Sequence, residues 1–453
     1  MKKSDLSRIV RLGGFMAALI FMAVQGVAEL KITLDEALTL ARDHNWDLRA
    51  ARARFEQSAS DVQQAWAALL PRVVVQGKYT HNYKAVTFDI ATELSQFMPG
   101  LAGVIGSTAP IEIQKKEQLD AGINLTVPLI VPYAYSALAA ARKVHLANAA
   151  NFSITEADVL MTVAQTFYAA AGGDELLLTR KDAVAVALET LENSKARFQA
   201  GTVAQVDVMR AEVAVVRAKQ DETEAEDTRA QVYRALATLL GTREPLRVIP
   251  TTIAAVEPAS DKTLVDNAFR LRPEFVFYQN TIDSASLAIR SFSWQWAPML
   301  SAFGNAQTFN YQSFSGDKYS WAVGLQLDWT LYDGGSRDAE RRRAMAQRHE
   351  FEARLQLLRD TVADGVINAR GTFDTKRCAV DSAVRSLELS REALRLVRVQ
   401  YTFGKATQLD LLQAQDSLVS AEVEVAQSRF QLALADLQLK RETGDFPFRR
   451  SQP

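Results

Sequence analysis

Few residues in this 453-residue sequence have the types and spacing that enzyme or metal chemistry requires. Cys378 is the single cysteine, so the chain can form neither an internal disulfide nor a thiolate metal cluster. The sequence also has no HxxH or HExxH histidine pair, no GxxxxGK[ST] phosphate loop, no dinucleotide-binding glycine set and no candidate catalytic triad. It therefore predicts a protein that is not an enzyme and that uses neither a metal nor a cofactor.

The carboxylates that stand out are Asp207 and Asp410, because they occupy the same place in a repeated stretch. FQAGTVAQVDVMRA and YTFGKATQLDLLQA align at a constant offset of 203 residues, which pairs these aspartates and also pairs Gly201 with Gly404. Each glycine falls where a long helical pattern must reverse, in a left-handed conformation that costs other residues about 1–2 kcal/mol. Each stretch is therefore predicted to be the tip of a helical hairpin.

Two roles are open to these aspartates. In one, the carboxylates stay exposed at the turns, where a group of such charges would raise the local negative potential and favour cations. In the other, the carboxylate caps the following helix, since an acidic residue at the third helical position satisfies backbone N–H groups and the helix dipole. The sequence predicts a capping box at Thr407–Asp410 and a looser one at Thr202–Gln205.

The N-terminus has the layout of a secretory signal peptide. Basic residues precede an apolar run from Gly13 to Val24, and small residues at Gly26 and Ala28 indicate cleavage after Ala28. A retained membrane helix is the alternative, but it would need about 20 apolar residues. Removing residues 1–28 takes away four of the 52 basic and one of the 53 acidic residues, which leaves a net charge of −4. We expect an exported chain with no polybasic patch for nucleic acid.

Most of the remaining chain carries helical patterns. Residues 134–199 and 336–402 each predict one helix of about 66 residues, about 100 Å long, and helices of this length usually pack as coiled coils. No segment after the leader is apolar enough for a transmembrane helix, so entry into a membrane would require strands. Shorter helices are predicted at residues 33–69, 205–240, 262–296 and 408–442.

Four segments are predicted to be strands. Gln118–Leu129 and Tyr319–Leu331 alternate strictly between apolar and polar residues, Arg72–Tyr83 alternates less strictly, and Met299–Tyr311 is assigned mainly from its position. Strands of this length with one apolar face fit a membrane barrel, although a soluble sheet with one buried face has the same period. The aromatic residues placed for interfacial girdles are Tyr79, Tyr83, Trp294, Trp296, Trp321 and Trp329.

Four strands cannot close a barrel by themselves. In hydrocarbon each open edge would leave about five or six backbone groups unpaired, at several kcal/mol each. That total exceeds the whole stability of a typical domain. If the strands lie in lipid, several chains must therefore assemble until the sheet closes.

The two halves of the chain follow the same order of elements. We divide the chain into a signal peptide (1–28), a first repeat (29–241), a proline-punctuated linker (242–261), a second repeat (262–444) and a C-terminal tail (445–453). The repeats contain strand hairpins at 72–129 and 299–331 and tip turns at 200–204 and 403–406.

In the order and spacing of its motifs the sequence resembles the TolC family of outer-membrane efflux proteins. The resemblance is carried by ITLDEALTLARDHNWDLRAARA, AWAALLPRV, NAFRLRPEF, DWTLYDGGSRDAERRRA and the two tip turns. It implies a mainly α fold with a membrane β-barrel, in which three chains give a 12-stranded outer-membrane barrel and a periplasmic α-helical barrel. The chain departs from the pattern at LTVPLIVPYAYSALA, where prolines stand at a strand-to-helix junction.

The family resemblance also implies a function. Such a homotrimer is the passive exit duct of a tripartite efflux or type I secretion system, and it extends from the outer membrane into the periplasm. An inner-membrane pump or ATP-driven exporter supplies energy through a periplasmic adaptor. Carried over to this chain, the aperture falls on Asp207 and Asp410. The adaptor contact falls on Ala200, Gly201, Thr202, Val203, Phe403, Gly404, Lys405 and Ala406.

Two other classes of function compete with the duct. An exported soluble coiled-coil scaffold or adhesin would explain the helices but has no need of long strands with one continuous apolar face. An enzyme with an elongated helical domain would need a catalytic constellation. The sequence leaves open whether the exported substrate is a drug, a metabolite or a protein.

Overall fold

The computed structural model describes residues 30–88, 111–249, 258–311 and 317–446. The predicted signal peptide, much of the linker and most of the C-terminal tail lie outside these residues. The chain divides into two compact units. The sheet unit comprises residues 55–149 and 277–355, and the helical unit comprises residues 1–54, 150–276 and 356–453.

Helices account for most of the described residues. The two longest, at Pro132–Gln199 and Ser336–Thr402, agree with the predicted long helices to within two residues at each end. In chain order the helices are α1 (Leu34–His44), α2 (Trp46–Ala67), α3 (Pro132–Gln199), α4 (Gln205–Leu240), α5 (Asp261–Leu271), α6 (Pro273–Trp294), α7 (Ser336–Thr402) and α8 (Gln408–Thr443). None of the helices in the described part of the chain is both long and apolar enough to cross a membrane.

The strands are as numerous as the helices in the described residues, but most of them are shorter. All four predicted strands are present, although three of them end two or three residues earlier than predicted, at His81, Phe309 and Asp328. The segment between the first two predicted strands also contains a short antiparallel pair, Val86–Phe88 with Ile111–Gln114. The strands are β1 (Leu30–Ile32), β2 (Arg72–His81), β3 (Val86–Phe88), β4 (Ile111–Gln114), β5 (Glu117–Ile130), β6 (Leu246–Val248), β7 (Met299–Phe309) and β8 (Tyr319–Asp328).

The sheet unit contains one antiparallel four-stranded sheet in the order β2-β5-β7-β8. Each repeat contributes one hairpin, and the inner strands β5 and β7 join the two hairpins. Strands β2 and β8 are the edges, and among the described residues each has a partner on one side only. One face of the sheet carries the large apolar side chains of β5 and β8, and these side chains are exposed.

The register explains why β7 alternated poorly in the sequence. On the apolar face, β7 places the small residues Ala302, Gly304 and Ala306 between bulky side chains of β5 and β8. Its opposite face carries Phe303, whose ring lies against Gly324: a Cβ on that glycine would be 2.8 Å from the ring. Because the apolar face of β7 carries small residues and its opposite face carries an aromatic residue, the alternation of apolar and polar residues expected of a strand is weak in this sequence. Strand β7 nevertheless pairs on both sides in the sheet.

The helical unit has two apolar cores. One is centred on Phe167 of α3 and packs α1, α4 and α8 around that helix; the other is centred on Phe373 of α7 and packs α5 and α8. A parallel pair of short strands, β1 with β6, closes the first core, so the linker contains an element that sequence analysis missed. Val248 N donates to the Tyr233 hydroxyl at 3.2 Å, which ties β6 to α4.

The shorter helix that leads into each hairpin is broken, so its prediction as one continuous helix is wrong in both repeats. The break lies at Asn45 in the first repeat and at Arg272 in the second, and it leaves pieces of 11 and 22 residues in each case. In the first, the buried Asn45 amide donates to Leu239 O at 2.8 Å, and its Oδ1 accepts from Asp47 N at 2.9 Å. In the second, Pro273 cannot donate a backbone hydrogen bond, which ends the preceding helix.

Each break receives the C-cap glycine of a later helix. Gly241 and Gly444 both have positive φ values, 65° and 81°. A Cβ on Gly241 would lie 2.8 Å from His44 O, and one on Gly444 would lie 2.9 Å from Leu271 Cβ. Only glycine therefore allows these two backbone segments to approach so closely.

A charged cluster links the second break to α8. Arg272 donates to Glu442 Oε2 at 2.6 Å and to Glu274 Oε1 at 2.9 Å, and Arg441 donates to Glu274 Oε1 at 3.2 Å. These side chains are largely buried. Burial is the largest influence and raises the pKa of Glu274, but the hydrogen bonds and positive charge of Arg272, a backbone hydrogen bond and the charge of Arg441 together outweigh it, so the pKa of this carboxyl is lowered.

We predict that this cluster makes the helical unit sensitive to acid. Because the pKa of Glu274 is lowered by folding, its ion pairs stabilise the folded chain above the ordinary glutamate pKa, near 4.3, and are lost as the pH falls through the lower folded-state value. Glu274→Gln should lower the unfolding midpoint at pH 7 and should reduce the further loss between pH 5 and pH 3. Circular dichroism at 222 nm measures both.

Glu189→Gln is the matched control, because Glu189 is exposed and forms no ion pair among the residues described. Its acid response should equal that of the unmodified chain. An unchanged acid response in Glu274→Gln would contradict the role of the cluster.

Candidate functional site

The first tip turn joins α3 to α4. Gly201 N donates to Phe198 O at 2.9 Å and Thr202 N donates to Arg197 O at 2.9 Å, so the last turn of α3 tightens before the chain reverses. Gly201 has a φ of 74°. No other atom would approach a Cβ at this glycine within 4 Å, which makes the turn an open surface.

The second tip turn joins α7 to α8 with the same geometry. Gly404 N donates to Tyr401 O at 3.1 Å and Lys405 N donates to Gln400 O at 2.8 Å. Gly404 has a φ of 70°, and a Cβ added to it would again meet no other atom within 4 Å. Phe403 projects beside it with 76% of its surface exposed. The two repeats therefore end in matching exposed turns.

Asp410 forms the predicted capping box with Thr407. Its backbone N donates to Thr407 Oγ1 at 3.2 Å, and its carboxylate accepts from Thr407 N at 2.8 Å and from the Thr407 hydroxyl at 2.7 Å. The backbone hydrogen bond from Thr407, followed by the hydroxyl bond, lowers the pKa of Asp410. The exposed carboxylate is therefore ionised and fixed in position at the start of α8.

Asp207 is held differently, and the looser capping box at Thr202–Gln205 is wrong. The N-cap of α4 is Ala204, which has no side chain able to cap. The Thr202 hydroxyl instead donates back to Arg197 O at 3.0 Å. Asp207 lies 3.3 Å from Arg210 Nη1 and is half-buried. The repeated aspartates thus share a position but not a local role, because the first turn lacks the threonine of the second.

A polar cluster that sequence analysis missed lies just above the tips, between α3 and α8. The Gln408 amide donates to Ser194 Oγ at 3.0 Å, and the Gln415 amide donates to Thr190 Oγ1 at 3.0 Å. All four side chains are buried. Because an unpaired buried amide is costly, each glutamine depends on its hydroxyl partner on the facing helix.

An aromatic side chain extends this polar cluster to α7. The Tyr401 hydroxyl donates to Gln408 Oε1, and the guanidinium of Arg197 lies 4.3 Å from the centre of the Tyr401 ring. The ends of both long helices are therefore connected inside one chain. The signal in the sequence was the spacing of seven between Gln408 and Gln415, which puts both amides on one face of α8.

The described residues contain no group of three or more histidine, cysteine, aspartate or glutamate side chains that could hold a metal ion. The arrangement at the tips is instead that of two matching open turns, with one fixed carboxylate at the start of each following helix. Such a surface can bind another protein or, when repeated by symmetry, surround an opening.

Comparison with known proteins gives a consistent result. A family model described as "Outer membrane efflux protein" matches residues 37–242 and 265–445. Outer membrane protein TolC of Vibrio cholerae is 24% identical over 425 residues, which is 91% of this chain and 90% of that protein. Outer membrane efflux protein BepC of Brucella suis is 22% identical over 429 residues, covering 92% and 87%.

The fold also matches solved structures. The CmeC outer membrane channel of Campylobacter jejuni superposes with a TM-score of 0.75 at 16% identity, over 93% of this chain and 87% of that one. At this identity the likeness concerns the fold alone.

We predict that the two tip turns differ in how their helices start. Thr407→Ala removes the N-cap hydroxyl and should destabilise the first turn of α8 by about 1 kcal/mol. That corresponds to roughly fivefold faster amide exchange. Hydrogen–deuterium exchange of residues 409–411 measures the change. Thr202→Ala is the matched control, and it should leave exchange in the first turn of α4 unchanged. Equal acceleration in both turns would contradict the assignment.

Proposed function

Because the chain belongs to the outer membrane efflux protein family and is a subunit of an outer-membrane efflux channel, we propose that three copies form one passive duct. The duct receives its substrate from an inner-membrane pump or exporter through a periplasmic adaptor. It belongs to a tripartite efflux or a type I secretion system. Both interpretations use the same geometry, because the substrate is chosen by the pump.

The observation that carries this proposal is the open four-stranded sheet. Within the described part of the chain, strands β2 and β8 each lack a partner on one side. Their apolar faces are exposed, with Val75 of β2 and Val323 of β8 each 73% accessible. In hydrocarbon the free N–H and C=O groups of such edges must be paired, and pairing β8 of one copy with β2 of the next satisfies both. Three copies then give 12 strands, an even number as in other outer-membrane barrels.

The internal repeat supports the same assembly for the helices. Within one chain α8 packs against α3 through Gln408 and Ser194. The offset of 203 residues maps this pair onto Gln205 of α4 and Val397 of α7. These two helices would meet in the same way if α4 came from a neighbouring copy. In agreement with this, α4 carries an exposed apolar stripe at Val206, Met209, Val213 and Val216.

The tip turns have separate roles in this duct. The exposed turns Ala200–Val203 and Phe403–Ala406 are the docking surface for the helical hairpins of the adaptor. Asp410 and Asp207 contribute carboxylates to the aperture, each repeated three times by symmetry. The fixed, ionised carboxylate of Asp410 supports its assignment as the main contributor.

Cysteine cross-linking tests the assembly. In a Cys378→Ser background, Leu325→Cys on β8 is combined in turn with Val73→Cys, Val75→Cys or Gly77→Cys on β2. One of these combinations should give covalent trimers on non-reducing gels, because the two edges face each other across the boundary between copies.

Ile123→Cys with Ala306→Cys is the matched control. These residues are partners within one chain, so their disulfide should leave a monomer on the same gels. Cross-linked trimers from the control, or monomers from all three edge combinations, would count against the shared barrel. A soluble monomer never recovered with membranes would favour the scaffold interpretation.

A second experiment tests the aperture. Asp410→Asn keeps an oxygen for the backbone N–H of Thr407 but removes the charge, so the preference for cations should fall severalfold in planar bilayers. The difference should shrink between 0.1 M and 1 M salt, where the Debye length falls from about 10 Å to about 3 Å.

Asp416→Asn removes the same charge from the same helix and should leave the reversal potential unchanged. An Asp410→Asn channel with unaltered conductance and selectivity would remove Asp410 from the aperture and leave it a capping role only.

A further inference from the structure

The junction between β8 and α7 carries an exposed aromatic group. Trp329 continues the apolar face of β8 one residue beyond the strand, and Tyr332 follows it; they are 58% and 84% accessible. Trp329 Nε1 donates to Trp296 O at 3.1 Å, which fixes the indole at the end of the sheet. Tryptophan and tyrosine prefer the level of the lipid headgroups, so this group marks the edge of the membrane.

Three arginines follow immediately on α7. Arg341, Arg342 and Arg343 are all exposed, and in the part of the chain that the structure describes none of them forms an ion pair. Asp338 and Glu340 lie within helical reach but do not pair with them. These carboxylates are favoured at the start of a helix by its dipole. The three guanidinium groups therefore remain available for another anion.

The backbone of these arginines lies slightly beyond the headgroup layer, and helical side chains lean back toward the N-terminus of their helix. A helix rises 1.5 Å per residue, so Arg341–Arg343 lie about 8–11 Å along α7 from Ser336. The headgroup region of one leaflet is about 5–8 Å thick. Arginine side chains extend along a surface and place their charge at the polar layer. The guanidinium groups can therefore reach the phosphates next to the aromatic group.

The start of α7 is held rigidly, which fixes this depth. Arg337 is buried beneath the junction: its Nε donates to Asp333 Oδ2 at 2.8 Å and its Nη1 donates to Gln295 O at 3.0 Å. Its guanidinium also lies 3.9 Å from the centre of the Trp296 ring. The remaining Nη2 is buried without a hydrogen-bond partner, so Arg337 anchors the helix and does not itself reach a lipid.

We propose that Arg341, Arg342 and Arg343 bind the phosphate of anionic phospholipids in the periplasmic leaflet of the outer membrane. The proposal rests on the proposed function, which sets the position of the membrane. Guanidinium groups bind phosphate oxygens in a bidentate manner. A zwitterionic headgroup offers the same phosphate but cancels its charge, so the site prefers anionic lipids.

The first repeat has no such site. Aligning the starts of α3 and α7 at Pro132 and Ser336 places Ala137, Leu138 and Ala139 opposite the three arginines. One binding position per chain is therefore expected, and three per trimer.

Native mass spectrometry with phosphatidylglycerol tests this inference. The unmodified trimer should retain about three more phosphatidylglycerol molecules than the R341Q/R342Q/R343Q variant, and phosphatidylcholine should be retained equally by both. The control R385Q/R391Q/R395Q loses the same charge from the same helix, where each arginine pairs with a glutamate, and should bind lipid like the unmodified protein. Equal retention by the first variant, or equal retention of the two lipids by the unmodified protein, would overturn the proposal.

A second measurement separates this inference from the function on which it rests. Unmodified protein and the R341Q/R342Q/R343Q variant are inserted into phosphatidylcholine vesicles, and trimers and conductance are measured. Trimers that conduct in both cases, with lipid selectivity absent from the unmodified protein, would overturn only the lipid site. Failure of the unmodified protein to form conducting trimers would overturn the proposed duct itself.

Discussion

The backbone hydrogen bonds of a sheet edge are the constraint on which the rest of this protein depends. In the proposed duct the four-stranded sheet lies in lipid, and its edges, β2 and β8, find no partner among the described residues of their own chain or in the bilayer. In the proposed trimer, association between chains is therefore part of folding for this sheet. The composition of β7 suits the same sheet, because its small residues let the bulky side chains of β5 and β8 form one apolar surface.

In the helical unit, buried polar groups fix the relative position of the helices near the tip turns. Most of its cores are ordinary apolar packing around Phe167 and Phe373, but the region just above the tips is held by amide-to-hydroxyl bonds. Apolar contacts tolerate sliding of one helix along another, whereas a buried amide is satisfied at one position only. The geometry of the tips is thus fixed within each chain, while the exposed stripe on α4 offers apolar side chains to the neighbouring copy of the proposed trimer.

Sequence patterns located the elements that depend on interactions between residues close together in the sequence. Strict alternation placed β5 within a residue at each end, and the threonine and aspartate spacing located the cap of α8. Apart from the break at Pro273, a local signal that was overlooked, the patterns failed where the cause is distant in sequence. Asn45 breaks its helix by bonding to Leu239 O, 194 residues away, and the partners of Gln408 and Gln415 lie on a helix that only the fold brings close. The candidate aperture residues were found through the repeat, since two matching stretches implied two matching turns.

The two helix breaks reach the same geometry by unequal means. The first depends on one side chain, Asn45, and on the carbonyl that it contacts. The second is imposed by the ring of Pro273, which any helix would have to accommodate. A single substitution can therefore restore a continuous helix in the first repeat, whereas the second retains its break through most changes around it. The two halves of this duplicated chain consequently differ in mutational robustness, and the first repeat is the half in which new geometries can arise.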